Sequence, residues 1–154
     1  MIPVRRLNHA VFYVRDVARS VAFYERAFGF RVIDSDAGGR AAFLRTSFGE
    51  NHHDLGLFQV GMDAPSAPKG AAGLYHLAWE VDSITDLVAA RDLLTEMGAL
   101  VGASDHGASK SLYGTDPDGN EFEVMWAVPR DVWEQMEHGT TQHLDLEAEL
   151  ARWS

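Results

Sequence analysis

A five-element pattern occurs twice in this chain, and each copy opens on a Leu-x-His tripeptide: Leu7-Asn8-His9 and Leu74-Tyr75-His76. Residues 7–14 (LNHAVFYV) are rich in β-branched and aromatic side chains and predict a strand. Asp16 is placed to cap a helix in which Val17, Val21, Phe23, Tyr24 and Phe28 recur at helical spacing up to Gly29. Strands are expected at 30–34, 40–47 and 53–60, separated by turn residues around Gly38-Gly39 and Gly49-Glu50-Asn51. The second copy repeats the order. A strand at 73–81 leads through a cap at Asp82 or Ser83 into a helix that stops at Gly98, and strands at 99–103, 110–115 and 120–127 follow. Two copies of βαβββ constrain the fold strongly: each is a small sheet with one helix to cover it, and two copies make a duplication rather than a solenoid.

The expected fold class is therefore α+β, with modules at about 5–60 and 72–127 forming one domain over 1–128. A linker rich in Gly, Ala, Pro and Ser spans 61–72. The tail, 129–154, reads as two helices at 130–137 and 145–153, the latter with Leu146, Leu150 and Trp153 on one face.

Composition excludes several functions. A chain of 154 residues with 46% hydrophobic residues can bury a real core. Its net charge of −10, without a basic stripe, argues against a nucleic-acid partner. No apolar run reaches membrane-spanning length, and none follows Arg5 and Arg6 as a signal peptide requires. The expected location is the cytoplasm. With no cysteine, any metal must be held by His, Asp or Glu.

Three residues stand where a metal site needs them. His9 and His76 occupy equivalent positions of the repeat, and Asp116-Pro117-Asp118-Gly119-Asn120 turns the chain into the strand that carries Glu123. A lone strand histidine is ordinarily a hydrogen-bonded structural residue, and a lone strand glutamate is ordinarily solvated. Two histidines in register plus one carboxylate form the donor set of a facial site with open positions. Strand alternation places His9 with Leu7, Val11 and Tyr13, His76 with Leu74, Ala78 and Glu80, and Glu123 with Glu121 and Met125. Phe122, Val124 and Trp126 are expected on the opposite, helix-covered side. By the same alternation His53 shares a face with Leu55, Leu57 and Gln59, and Val11, Leu55, Leu57 and Met125 are expected to line an apolar pocket.

The Leu-x-His openings and the DPDGN-x-x-E stretch at 116–123 resemble the vicinal oxygen chelate superfamily, which includes glyoxalase I, bleomycin-resistance proteins, methylmalonyl-CoA epimerase and type I extradiol dioxygenases. The resemblance covers 5–127. It implies paired βαβββ modules forming an incomplete mixed barrel around a metal held by His9, His76 and Glu123. His52-His53-Asp54-Leu55-Gly56-Leu57 is similar to the dioxygenase segment that bears a catalytic histidine, with His53 as the match. His106-Gly107 and Tyr113 are similar to the remaining pair beside the substrate. The implied activity is Fe(II)-dependent extradiol cleavage of a small aromatic vicinal diol by dioxygen, with Mn, Ni or Zn as alternative metals. A homodimer is expected.

Two rivals remain open. Glyoxalase-type isomerases recruit a fourth ligand, often acidic, from the last strand of the first module, where Gln59 is available and Asp54 is expected to point away. Bleomycin-resistance-like binders tend to lack the complete triad. The sequence does not name the catechol.

Overall fold

The computed structural model describes residues 1–66, 68, 70–136, 139 and 141–154. The chain divides into two compact units, Met1–Pro68 and Lys69–Ser154. Unit 1 runs β1 (Ala10–Val14), α1 (Val17–Phe28), β2 (Arg31–Ser35), β3 (Ala41–Arg45) and β4 (Leu55–Gln59). Unit 2 runs β5 (Leu77–Glu80), α2 (Ile84–Glu96), β6 (Leu100–Asp105), β7 (Ser109–Thr115) and β8 (Glu121–Ala127), then a 3-10 helix (Arg130–Gln135) and α3 (Leu146–Trp153). Each unit carries its own four-stranded sheet, ordered β1-β4-β3-β2 and β5-β8-β7-β6. In both sheets the first and last strands pair in parallel and the rest antiparallel. The α+β class and the repeated βαβββ order are as the sequence predicts, and the strands form two mixed sheets rather than one closed barrel. Position 137, at the end of the expected tail helix, and positions 67 and 69 of the expected linker lie outside the described residues.

The helix ends follow from local chemistry. The Asp16 carboxylate accepts from Arg19 N at 2.8 Å, and Gly29 ends α1 in the left-handed region at φ 64°. Of the two expected caps for α2, Ser83 is the one used: its hydroxyl accepts from Asp86 N at 3.1 Å.

Both histidine-bearing strands begin later than expected, so His9 and His76 sit immediately before β1 and β5. Alternation is clean along β8, where every second residue is buried. In unit 1, Val14, Ala42, Leu44, Leu55 and Leu57 are buried with Val17 and Tyr24 of α1. In unit 2, Phe122, Val124 and Trp126 are buried as expected, with Leu112 beside them and Ile84, Leu87 and Leu94 of α2 in the same core.

The tail closes over the same side. Lys110 of β7 is buried, its Nζ 2.6 Å from Asp105 and 3.5 Å from Glu149 of α3. Trp153 donates to the Glu149 carboxylate at 2.9 Å and meets Trp126 edge-on, with ring centroids 5.7 Å apart. Residues 105 and 142 form a two-way backbone bridge, which ties the tail to the β6–β7 hairpin.

Gly114 faces Phe122 across the β7–β8 ladder. A Cβ there would lie 2.4 Å from Phe122 Cζ and 3.0 Å from the Ala99 carbonyl, so the ring occupies the space glycine leaves. We predict that Gly114→Ala costs about 3 kcal/mol through overpacking. That corresponds to a Tm lower by roughly 6–12 °C for a chain of this size. Gly102→Ala, whose Cβ would meet only Tyr113 at 4.0 Å, should stay within about 0.5 kcal/mol of wild type. Thermal melts that rank the two variants equally would refute this.

Candidate metal centre and catalytic residues

In unit 2 the site is built on β8, the strand hydrogen-bonded on both sides. Glu123 stands in register with Ala78 of β5 and Tyr113 of β7. The His76 ring arrives from just before β5. His76 Nε2 lies 3.1 Å from Glu123 Oε2. Both groups are largely sheltered, with side-chain exposures of 24% and 13%. Two N/O ligands on bonds of about 2.1 Å, at a right angle around one ion, stand about 3 Å apart. The observed separation has that value. The Nδ1 atom of the same ring is buried and without a hydrogen-bond partner among the described residues. A sheltered imidazole–carboxylate pair of this spacing is a sound donor pair for a divalent cation, so the residues present fit a metal.

Tyr113 lies on the same face. Its ring meets that of His76 at 5.6 Å, and its hydroxyl is 2.8 Å from His106 Nε2. Burial, and then the nearby Glu123 carboxylate, push the Tyr113 phenol above its usual pKa. It therefore keeps its proton at neutral pH and remains a hydrogen-bond donor. His106 stands at the start of the hairpin turn, with its backbone N–H donating to Ser109 O at 2.9 Å. The sequence-derived set His76, Glu123, Tyr113 and His106 thus comes together within one unit.

In unit 1, His9 and His53 come together: their ring centroids are 4.4 Å apart. A polar scaffold holds them. Asn51 Nδ2 donates to Asn8 O at 2.8 Å and to Asp54 Oδ1 at 2.7 Å. Asp54 Oδ2 accepts from Thr46 N at 2.8 Å, and Asn8 Oδ1 lies 2.8 Å from His9 Nδ1. Gly49 admits this arrangement, since a Cβ there would lie 2.7 Å from Asp54 Oδ2. Asn8 and Asn51 are residues that sequence reasoning missed. They stand 43 positions apart, and no short motif links them. Within neither unit, among the described residues, do three His, Asp or Glu side chains gather into a ready metal cluster. His9 and His53 lie in unit 1, and His76, His106, Tyr113 and Glu123 lie in unit 2.

The expected face of His53 is corrected. Its ring packs edge-on against Phe43 at 5.1 Å, and Phe43 is in register with Gly56, beside Val11. Leu55 and Leu57 point the other way into the core under α1 and are fully buried, so they line no pocket. The reason is local: residues 51–54 lie outside the strand, in bends, and the two-residue period does not run through them. The side chains on the His53 face are Phe43, Phe58 and Val11, with Phe43 and Phe58 edge-on at 5.8 Å. Burial first, then the neighbouring His9 and His52 rings, hold the His53 imidazole below its usual pKa, against an opposing pull from Asp54. His53 is therefore largely neutral at pH 7, as a proton acceptor must be. His52 is exposed, with its Nδ1 3.2 Å from His53 Nδ1.

Gln59, the available candidate for a fourth ligand, is committed elsewhere, and so is Asp54, expected to point away. Asp54 is bound into the Asn51–Thr46 scaffold. Gln59 lies on the α1 side, where its Oε1 accepts from Val17 N at 3.5 Å.

Residues 6–124 match the model of the Glyoxalase/Bleomycin resistance protein/Dioxygenase superfamily. The chain is 31% identical to a catechol-2,3-dioxygenase of Bacillus subtilis (strain 168), over 94% of its own length and 50% of the relative's, so it spans half of that protein. It is 32% identical to the metallothiol transferase FosB of Lysinibacillus sphaericus (strain C3-41), over 83% of its length and 86% of the relative's. A glyoxalase/dioxygenase structure from Nostoc punctiforme superimposes with a TM-score of 0.67 at 22% identity, covering 82% of this chain and 94% of that one; this likeness shows the fold alone.

Proposed function

This chain belongs to the Glyoxalase/Bleomycin resistance protein/Dioxygenase superfamily, and we propose that within it the chain is an Fe(II)-dependent extradiol dioxygenase of small aromatic vicinal diols. His9, His76 and Glu123 are the proposed ligands. The observation that carries the reading is the convergence of His76 and Glu123 at 3.1 Å with the Tyr113–His106 pair beside them. Relatives named as catechol and biphenyl-diol dioxygenases support it.

When bound, Fe(II) in such a site supplies electron transfer between a chelated diol and dioxygen. The protein's own groups handle the protons and the ring. His53, kept neutral by its surroundings, takes the proton from a catechol hydroxyl. Its Nδ1 is turned toward His52, which leaves Nε2 for the substrate. With His106 donating to the phenol oxygen, Tyr113 retains its O–H and donates it to a substrate oxygen. Phe43, Phe58 and Val11 offer an apolar surface of the kind an aromatic ring packs against. The lack of an available acidic fourth ligand on β4 favours this reaction over a glyoxalase-type isomerisation.

The test is direct. Protein loaded with Fe(II) under anaerobic conditions, then given oxygen and a panel of substituted catechols, should consume oxygen and form a yellow ring-opened product. No oxygen uptake across the panel, together with isomerisation of a glutathione hemithioacetal, would move the assignment to another branch of the superfamily.

A further inference from the structure

The buried Nδ1 of His76 is the unexplained atom of the site. The imidazole has two nitrogens, and Nε2 is the one turned to Glu123. If the Nε2 lone pair is given to a cation, the ring proton must reside on Nδ1. There it is an N–H shut away from water with no acceptor in hydrogen-bond reach among the described residues. The nearest carboxylate oxygen is Glu121 Oε1, at 4.0 Å. Glu121 opens β8 on the same face as Glu123 and is half-buried. Its other neighbour is Tyr75, whose hydroxyl it accepts from. Tyr75, His76 and Glu121 thus form a short chain of partners with one gap, and a swing of the Glu121 carboxylate by about 1 Å brings it to the length of a charge-assisted hydrogen bond.

We propose that Glu121 is the outer anchor of the metal centre. It accepts the Nδ1–H of His76 once Nε2 is committed to a divalent cation, and the Tyr75 hydroxyl orients the carboxylate. The role rests on His76 being a ligand, as in the reading above. Glu121 touches neither metal nor substrate. It is a positioning residue that fixes the ring's tautomer and rotation and raises the basicity of Nε2.

The experiment measures Zn(II) affinity at pH 7 by competition with a chromophoric chelator, with no turnover involved. Glu121→Ala should weaken zinc binding by about 10- to 100-fold, as loss of such an outer partner typically does. Glu121→Gln, whose amide oxygen still accepts the N–H, should stay within about threefold of wild type. Glu134→Ala, which removes an equal charge from an exposed position, should change nothing. Zinc affinity of Glu121→Ala within twofold of wild type overturns the proposal, and so does an equal loss in Glu134→Ala. A second measurement needs no substitution: the zinc-loaded wild type should show a His76 Nδ1–H proton that exchanges slowly with solvent, and a fast-exchanging or absent proton overturns the assignment. The two readings fail differently. Wild-type protein that binds no zinc removes the ligand reading and this one with it, whereas tight zinc binding indifferent to Glu121 removes this one alone.

Discussion

Glu123→Ala is expected to leave a folded protein that cannot retain its metal. The carboxylate stands on the side of β8 away from the α2 core, while Phe122 and Val124, which fill that core, are untouched. Losing it takes one of three proposed ligands from the ion and leaves His76 Nε2 without its 3.1 Å partner. The fall in dioxygenase activity should reach roughly a thousandfold or more, beyond the ten- to hundredfold usual for groups one layer out. His76→Ala should behave alike. The check is metal content per chain after exhaustive dialysis, with far-UV circular dichroism as the control for folding. Wild-type metal content in Glu123→Ala would exclude it as a ligand.

His53→Phe should show the opposite split, with metal retained and turnover lost. Phenylalanine preserves an aromatic body against Phe43 and His9, so the local packing survives. What disappears is the proton acceptor, and removing a positioned acid–base group costs on the order of a hundredfold in turnover, with little change in KM. Single-turnover mixing of the anaerobic enzyme–catechol complex with oxygenated buffer measures this. If His53→Phe turns over at the wild-type rate, the proton acceptor is another group while the reaction class stands.

Much of this arrangement was legible because it depends on spacing. The duplicated Leu-x-His openings, the DPDGN turn and alternation along β8 required no knowledge of tertiary contacts. They anticipated that His76 and Glu123 would meet and that Phe122, Val124 and Trp126 would be buried. The failures share a physical cause. Strand periodicity was extended through residues 51–54, where the chain bends, and this put His53 on the wrong side with Leu55 and Leu57. The Asn8–Asn51–Asp54 scaffold was invisible because hydrogen bonds between remote segments have no period. Lys110 gave no sign either, since a lysine in a strand ordinarily marks a solvated face. Here it is buried opposite Asp105 and Glu149, on the side that carries Trp126.

That lysine bears on where the module can be cut. The stretch shared with the superfamily model stops at 124, and a boundary drawn just past β8 would look natural from that match alone. Cutting there would discard Glu149 and Trp153, open the Trp126 face to water and leave the Lys110 ammonium with Asp105 as its remaining ion-pair partner. Removing one partner from a buried ionic cluster typically costs about 3–5 kcal/mol, a large fraction of the stability of an average domain. The family match and the stretch that the buried core needs therefore differ in length. The hairpin bearing His106 is tied by the 105–142 bridge to a segment that lies beyond the family match.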